Sequence, residues 1–175
     1  MPLDRSRVRP VHGDSDAPAV TVLDTPVGRI ALHWRGSPQV GALERVVLAA
    51  EQVDAPAAPD WLAAPVAAYF DDPSRHIALP TRCRGTDFQR RVWQAIAAIP
   101  PGATRTYGEL AQALGSAARA VGGACRANPC PLVVPCHRVV ARTGLGGFAG
   151  DRDGRLLEIK RRLLAHEGHP ARRAP

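Results

Sequence analysis

The chain reads as an α+β protein, with a small strand-rich α/β domain ahead of a mainly helical domain. Three observations predict this. Short apolar runs broken by Pro and Gly fill the first half, as in strands joined by turns. Two capping boxes open helically spaced apolar runs in the second half. The charge also changes sign between the halves. Residues 1–81 carry seven Arg against ten Asp or Glu, whereas residues 82–175 carry fifteen Arg and Lys160 against six acids. The expected divisions are a flexible leader over 1–17, an N-terminal α/β domain over 18–82, a C-terminal domain over 83–170 and a tail over 171–175.

In chain order, Ala19 to Leu23 and Arg29 to Trp34 are short apolar runs. Pro26 and Gly28 between them predict a hairpin. Val40 to Val53 fits a strand or a helix equally well. Ala55 to Pro59 reads as a linker, and Asp60 as the cap of a helix over Trp61 to Phe70 that contains Pro65. Ile77 to Pro80 suits a returning strand. No residue of this half suggests chemistry, and His12, His33 and His76 are scattered.

From Gly85 the pattern is helical. Thr86 with Gln89 forms a capping box, and Phe88, Val92, Trp93, Ile96 and Ile99 follow on one face before Pro100-Pro101. Thr106 with Glu109 forms a second box, opening a helix through Leu114. Gly115 turns the chain and Ser116 suits the cap of a further helix from Ala117 to about Ala127. Two helices about a tight Gly turn make a helix-turn-helix; an ordinary helical hairpin has the same pattern. In the later helix Ala117, Ala118, Ala120, Gly122, Gly123 and Ala124 are all small, and Arg119 and Arg126 project. Adjacent glycines cost a helix roughly 1 kcal/mol each against alanine. Close packing or close approach of a ligand should offset that. Gly144 to Gly150 is a Gly-rich loop without the Lys-Ser/Thr ending of a phosphate loop, and suits a mobile pocket wall. A last helix, Leu156 to His166, sets Leu156, Ile159 and Leu163 on one face.

The 175 residues are 45% apolar with net charge +7. That suffices for a core, and no apolar run is long enough for a membrane span. With no secretory h-region, the expected location is cytoplasmic. Four cysteines in such a chain argue against a disulfide framework. The spacing of Cys125, Cys130 and Cys136 is no standard zinc pattern, so no metal is expected. The basic second half predicts a polyanionic partner.

The most informative stretch is Pro131 to Val140. Leu132, Val133 and Val134 read as a short buried strand ended by Pro135, which presents Cys136 with His137 and Arg138 directly after it. A thiol is a nucleophile only as thiolate, and an adjacent imidazole and guanidinium favour that form. An inert buried cysteine is the plainer alternative. Neighbouring strand side chains point opposite ways, so a water or a turn after Pro135 would have to join Cys136 to His137.

Pro135-Cys136-His137-Arg138-Val139 resembles the active-site signature of the O6-alkylguanine-DNA alkyltransferases, the methylated-DNA–protein-cysteine methyltransferases. Asn128-Pro129, Arg119-Ala120-Val121-Gly122, Tyr107-Gly108-Glu109-Leu110-Ala111, Gly85-Thr86-Asp87-Phe88-Gln89 and Leu163-Leu164-Ala165-His166-Glu167 match in order.

The resemblance implies a winged helix-turn-helix-like DNA-binding motif in the C-terminal domain, and a monomer that flips O6-alkylguanine, or O4-methylthymine, out of double-stranded DNA. The alkyl group would pass irreversibly to Cys136, without cofactor. It implies His137 as base, Glu167 as its orienting carboxylate, Asn128 as support of the turn and Tyr107 as a donor to the leaving guanine. Arg119 would fill the vacated stack, with Tyr107, Ala120, Gly122, Gly123 and Arg126 on the DNA. Cys136, Val139, Phe148 and Ala149 would surround the base. The residues Asp151 to Arg155 depart from the family pattern. Alternatives are a non-catalytic alkyltransferase-like lesion-binding protein, which would lack Cys136, a helix-turn-helix regulator, which needs a richer recognition helix, and a cysteine hydrolase, which would turn over.

Overall fold

The structure is a computed structural model that describes residues 17–151 and 153–169. The tail expected over 171–175, and all but residue 17 of the expected leader, lie outside the described residues.

The first half builds an antiparallel sheet of β1 (Pro18–Thr25), β2 (Gly28–Gly36) and β3 (Gly41–Leu48), in that order. Thr25 pairs with Gly28 across a two-residue turn, which is the expected hairpin. The ambiguous stretch from Val40 resolves as β3, paired along β2 with a bulge at His33/Trp34. Val46 and Leu48 alternate inward, and the bulge leaves Glu44 unpaired, which resets the phase so that Leu43 is buried as well. Helix α1 (Asp60–Asp71) lays Leu62, Val66 and Tyr69 into the core. It starts one residue early, after Pro59, so Asp60 is its first residue rather than its cap.

The outer edge of β3 is covered rather than exposed. Leu43 N–H donates to Pro80 O and accepts, through its carbonyl, from Arg82 N–H, both at 2.8 Å. Val46 N–H donates to Pro129 O at 2.8 Å. The strand expected over Ile77 to Pro80 is therefore absent, and only Thr81 bridges to Leu43. Proline at 80 can accept but not donate, which ends a ladder there.

The second half is helical. Helices α2 (Asp87–Ala97) and α3 (Tyr107–Ala113) begin at Thr86 and Thr106, each with both bonds of its capping box formed. Gly115, at φ +60°, turns the chain into α4 (Ala118–Arg126). Ser116 does not cap α4; its N–H closes α3 by donating to Ala111 O at 2.8 Å. β4 (Arg105–Thr106) and β5 (Val139–Val140) form a short parallel pair. Helix α5 (Arg155–His166) buries Leu157, Ile159, Leu163 and Leu164, a broader face than Leu156, Ile159 and Leu163. The α+β class holds, strand-rich first and helical second. One core runs through both parts, from Ile30, Leu43 and Leu62 to Ile96, Val121 and Leu163.

Candidate active site

Leu132 to Val134 form no strand. Prolines at 131 and 135 leave too few N–H groups for a ladder, and the segment folds into turns instead. Leu132 takes φ +78°, and Val134 N–H donates to Cys130 O at 2.9 Å. Pro135 then enters a 3-10 turn, Cys136–Arg138, in which all three residues are buried. A turn brings neighbouring side chains together where a strand would separate them. Asn128 braces it from one side. Its amide donates to Val134 O at 2.9 Å and to Cys136 Sγ at 3.2 Å, while its oxygen accepts from Cys130 N–H at 3.0 Å.

Behind the cysteine lies a buried charged cluster centred on Glu167, the residue that ends α5. Glu167 Oε1 accepts from His137 Nε2 at 2.9 Å, from Arg138 Nη2 at 2.7 Å and from the Tyr69 hydroxyl at 2.8 Å. Arg138 also donates to Ile99 O at 2.6 Å, which ties the turn to the end of α2. Burial raises the Glu167 pKa, but the hydrogen bonds and charges of His137 and Arg138 outweigh it and hold the carboxyl well below the usual range. His137 Nε2 therefore carries the proton given to Glu167, and Nδ1 is the ring's free acceptor. Nδ1 is buried with no hydrogen-bond partner.

Burial lowers the pKa of His137, and only in part does the Glu167 carboxylate restore it. Burial also raises that of Cys136, against the Asn128 bond and the Lys160 charge. The resting pair is a neutral thiol and a neutral imidazole.

Lys160 is completely buried yet faces no carboxylate. Its ammonium donates to Val139 O and Leu145 O at 2.6 Å and to Gly147 O at 3.0 Å, which uses all three of its hydrogens. Burial lowers its pKa to about 8. The Gly-rich loop is thus pinned, and Tyr107 adds a bond from its hydroxyl to Gly147 O at 3.1 Å. The mobile wall expected at 144–150 is instead a held one, closed by reciprocal bonds between Phe148 and Asp151 at 2.8 Å.

In front of Cys136 opens a cleft of about 540 Å³. One wall is α4, through Ala118, Arg119, Gly122, Gly123, Cys125 and Arg126; Gly147 to Asp151 form the other, and Tyr107 and Cys136 close it. A Cβ built on Gly122 or Gly123 would meet nothing within 4 Å. Close packing therefore does not account for the glycine pair, which leaves approach of a ligand.

Of the residues singled out from sequence, Cys136, Tyr107, Arg119, Gly122, Gly123, Arg126, Phe148 and Ala149 share this cleft. His137, Glu167 and Asn128 stand behind it. Val139 does not line the cleft; it is fully buried and its carbonyl holds Lys160. Ala120 is exposed on α4 but outside the cleft. Tyr69 and Lys160 were not read from sequence. Lys160 carried a faint signal, since it lies one turn before the buried pair Leu163 and Leu164, on the core face of α5. Tyr69 carried none, because its carboxylate partner is 98 residues away.

A family model described as the DNA-binding domain of 6-O-methylguanine DNA methyltransferase matches residues 87–169. A methylated-DNA–protein-cysteine methyltransferase from Mycolicibacterium paratuberculosis is 40% identical over 154 residues, spanning 80% of this chain and 90% of that protein. A Mycobacterium tuberculosis O6-methylguanine methyltransferase structure superposes with a TM-score of 0.72 at 34% identity, covering 86% of this chain and 93% of that one. The Mycobacterium tuberculosis OGT in complex with DNA superposes at 0.68 and 34% identity, covering 85% and 92% of the two chains.

Proposed function

The chain belongs to the methylated-DNA–protein-cysteine methyltransferase family, and we propose that Cys136 is the thiol to which it transfers the alkyl group of O6-alkylguanine. It is a DNA-repair methyltransferase whose partner is double-stranded DNA. The observation that carries the residue assignment is His137, with Nε2 bound to Glu167 and Nδ1 buried without a partner one residue from Cys136.

The alkyl carbon on O6 lies inside the duplex, so the base is extruded into the cleft. Helix α4 meets the groove with its small-residue face, and Arg119 fills the vacated stack. With base and sulfur aligned, the Cys136 proton passes through one water to His137 Nδ1. Glu167 stabilises the imidazolium and does not itself take the proton, by the logic of nucleophile, base and orienting carboxylate. Sulfur forms its bond to the alkyl carbon as the carbon–O6 bond breaks, and guanine keeps that electron pair. Tyr107, whose hydroxyl rests on Gly147 O until the base arrives, donates to the departing guanine. Phe148 and Ala149 bound the base, while Val139 acts from behind by holding Lys160. The product is a thioether, so each chain reacts once.

The same reading keeps the division at 82/83 between an N-terminal domain and the alkyl-transfer domain, and a cytoplasmic monomer without cofactor. Four free cysteines accord with that location.

Incubation with a duplex containing O6-methylguanine should add one methyl group per chain, mapped to Cys136 by peptide mass spectrometry. Methylation at Cys125 instead, or release of methanol with repeated turnover, would contradict the assignment.

A further inference from the structure

Two cysteines take no part in that chemistry, yet they meet. Cys83, in the segment ahead of α2, and Cys130, in the loop carrying Asn128, have their sulfurs 2.8 Å apart and share a hydrogen bond. The fold explains the encounter. The β3 edge pins Pro80 and Arg82 through Leu43, and pins Pro129 through Val46. Each cysteine follows directly on a residue held by the same strand.

The two thiols are unequal. Cys130 is fully buried, whereas Cys83 is partly open to solvent. The Cys130 hydrogen bond, and a lesser one from Thr81, favour the thiolate at Cys83. At Cys130 the same bond and burial oppose ionisation. No third His, Cys, Asp or Glu joins them into a metal-binding group among the described residues.

We propose that Cys83 and Cys130 form a redox-active dithiol, oxidised reversibly by a peroxide to a disulfide that fastens the segment ahead of α2 to the active-site loop. Cys83 thiolate attacks the peroxide O–O bond, forming a sulfenic acid and releasing hydroxide. Cys130 then attacks that sulfur as its proton leaves, and the sulfenic oxygen departs as water. The two thiols lose two electrons and the peroxide gains them. Closure asks for little movement, because a disulfide needs about 2.0 Å where the sulfurs already stand at 2.8 Å. The Asn128 contacts to Cys136 therefore survive oxidation, and the oxidised protein remains competent for transfer. The crosslink joins residues 47 apart, so it restricts the unfolded chain and raises stability. Such bonds in a reducing compartment are transient and sensing rather than permanent.

The test treats the full chain with hydrogen peroxide and maps it by non-reducing peptide mass spectrometry. The expected result is a Cys83–Cys130 linked peptide with two hydrogens lost and Cys125 and Cys136 still free. Dithiothreitol should reverse the link, Tm should rise by several degrees while it is present, and methyl transfer should be unchanged. Cys83→Ser should abolish the link and leave transfer intact. A Cys125–Cys136 link forming first, Cys83 overoxidised beside a free Cys130, or no change in either thiol would overturn the proposal. So would the same loss of two hydrogens in Cys83→Ser.

Discussion

The two sides of Cys136 are built on opposite terms. In front, the cleft is lined by small residues, with Arg119 and Arg126 on an exposed helix face and Gly122 and Gly123 unfilled. Behind, His137, Arg138 and Lys160 are almost completely buried, and every one is bonded into the core. The front is open, whereas the back is bonded throughout except at His137 Nδ1. The difference teaches where each kind of energy belongs. On the proposed reading, work against base stacking falls to exposed groups on α4, and proton movement to groups already fixed by burial and hydrogen bonds.

The comparison is sharpest at the cysteine itself. Cys136→Ser should bind DNA but show no measurable transfer, since a hydroxyl is scarcely ionised at neutral pH; a gel shift and a methyl-transfer assay read the two properties separately. Detectable transfer at another thiol would break the division at its centre.

Next comes the back. Glu167→Gln removes the charge that stabilises imidazolium, and general-base assistance is worth roughly a hundredfold or more. Duplex and free O6-alkylguanine base should slow alike. Removing one partner of a buried ion pair also costs about 3–5 kcal/mol, so melting must be followed together with the rates.

Arg119→Ala tests the front. Free base needs no flipping and should react at the unmutated rate, while duplex should slow by roughly tenfold to a hundredfold, in line with an unstacking cost of a few kcal/mol. Equal slowing of both substrates would move Arg119 to the back and end the distinction.

The smallest effect is expected at Tyr69, whose hydroxyl reaches Glu167 from α1. Tyr69→Phe removes one donor and should slow transfer by only a few fold. Glu167 is a depressed carboxyl, so its stabilisation is full above the ordinary carboxylate pKa of about 4.3 and is lost as pH falls through the folded value. With one donor fewer the folded value rises, and acid unfolding should begin at a higher pH in the mutant. Identical acid-unfolding curves would remove Tyr69 from the cluster.

Legibility followed the range of the interactions. Both capping boxes, the Thr25–Gly28 hairpin and the α3–α4 turn depend on residues a few positions apart, and their types gave them away. Cys136 with His137 stands out by local chemistry, whereas Asn128 and Glu167 come only from the family pattern. Leu132 to Val134 misled because three apolar residues between prolines look like a buried strand, while the backbone has too few donors for one. Lys160 begins Lys160-Arg161-Arg162, which resembles a solvated basic run, and only its spacing from Leu163 and Leu164 separates it from its neighbours. The bond from Lys160 to the Val139 carbonyl depends on how the backbone turns after Arg138, which no side-chain pattern supplies.

The bare pair on α4 sets a limit on how far the protein can be improved. With open space around both Cβ positions, alanine at Gly122 and Gly123 would strengthen the helix by roughly 1 kcal/mol each. A search for heat resistance in the free protein would favour these changes early. Each methyl would stand in the cleft, on the face that the proposed function turns to DNA. Tolerance of heat and access to damage thus compete for the same few cubic ångströms, and the chain has kept the weaker helix.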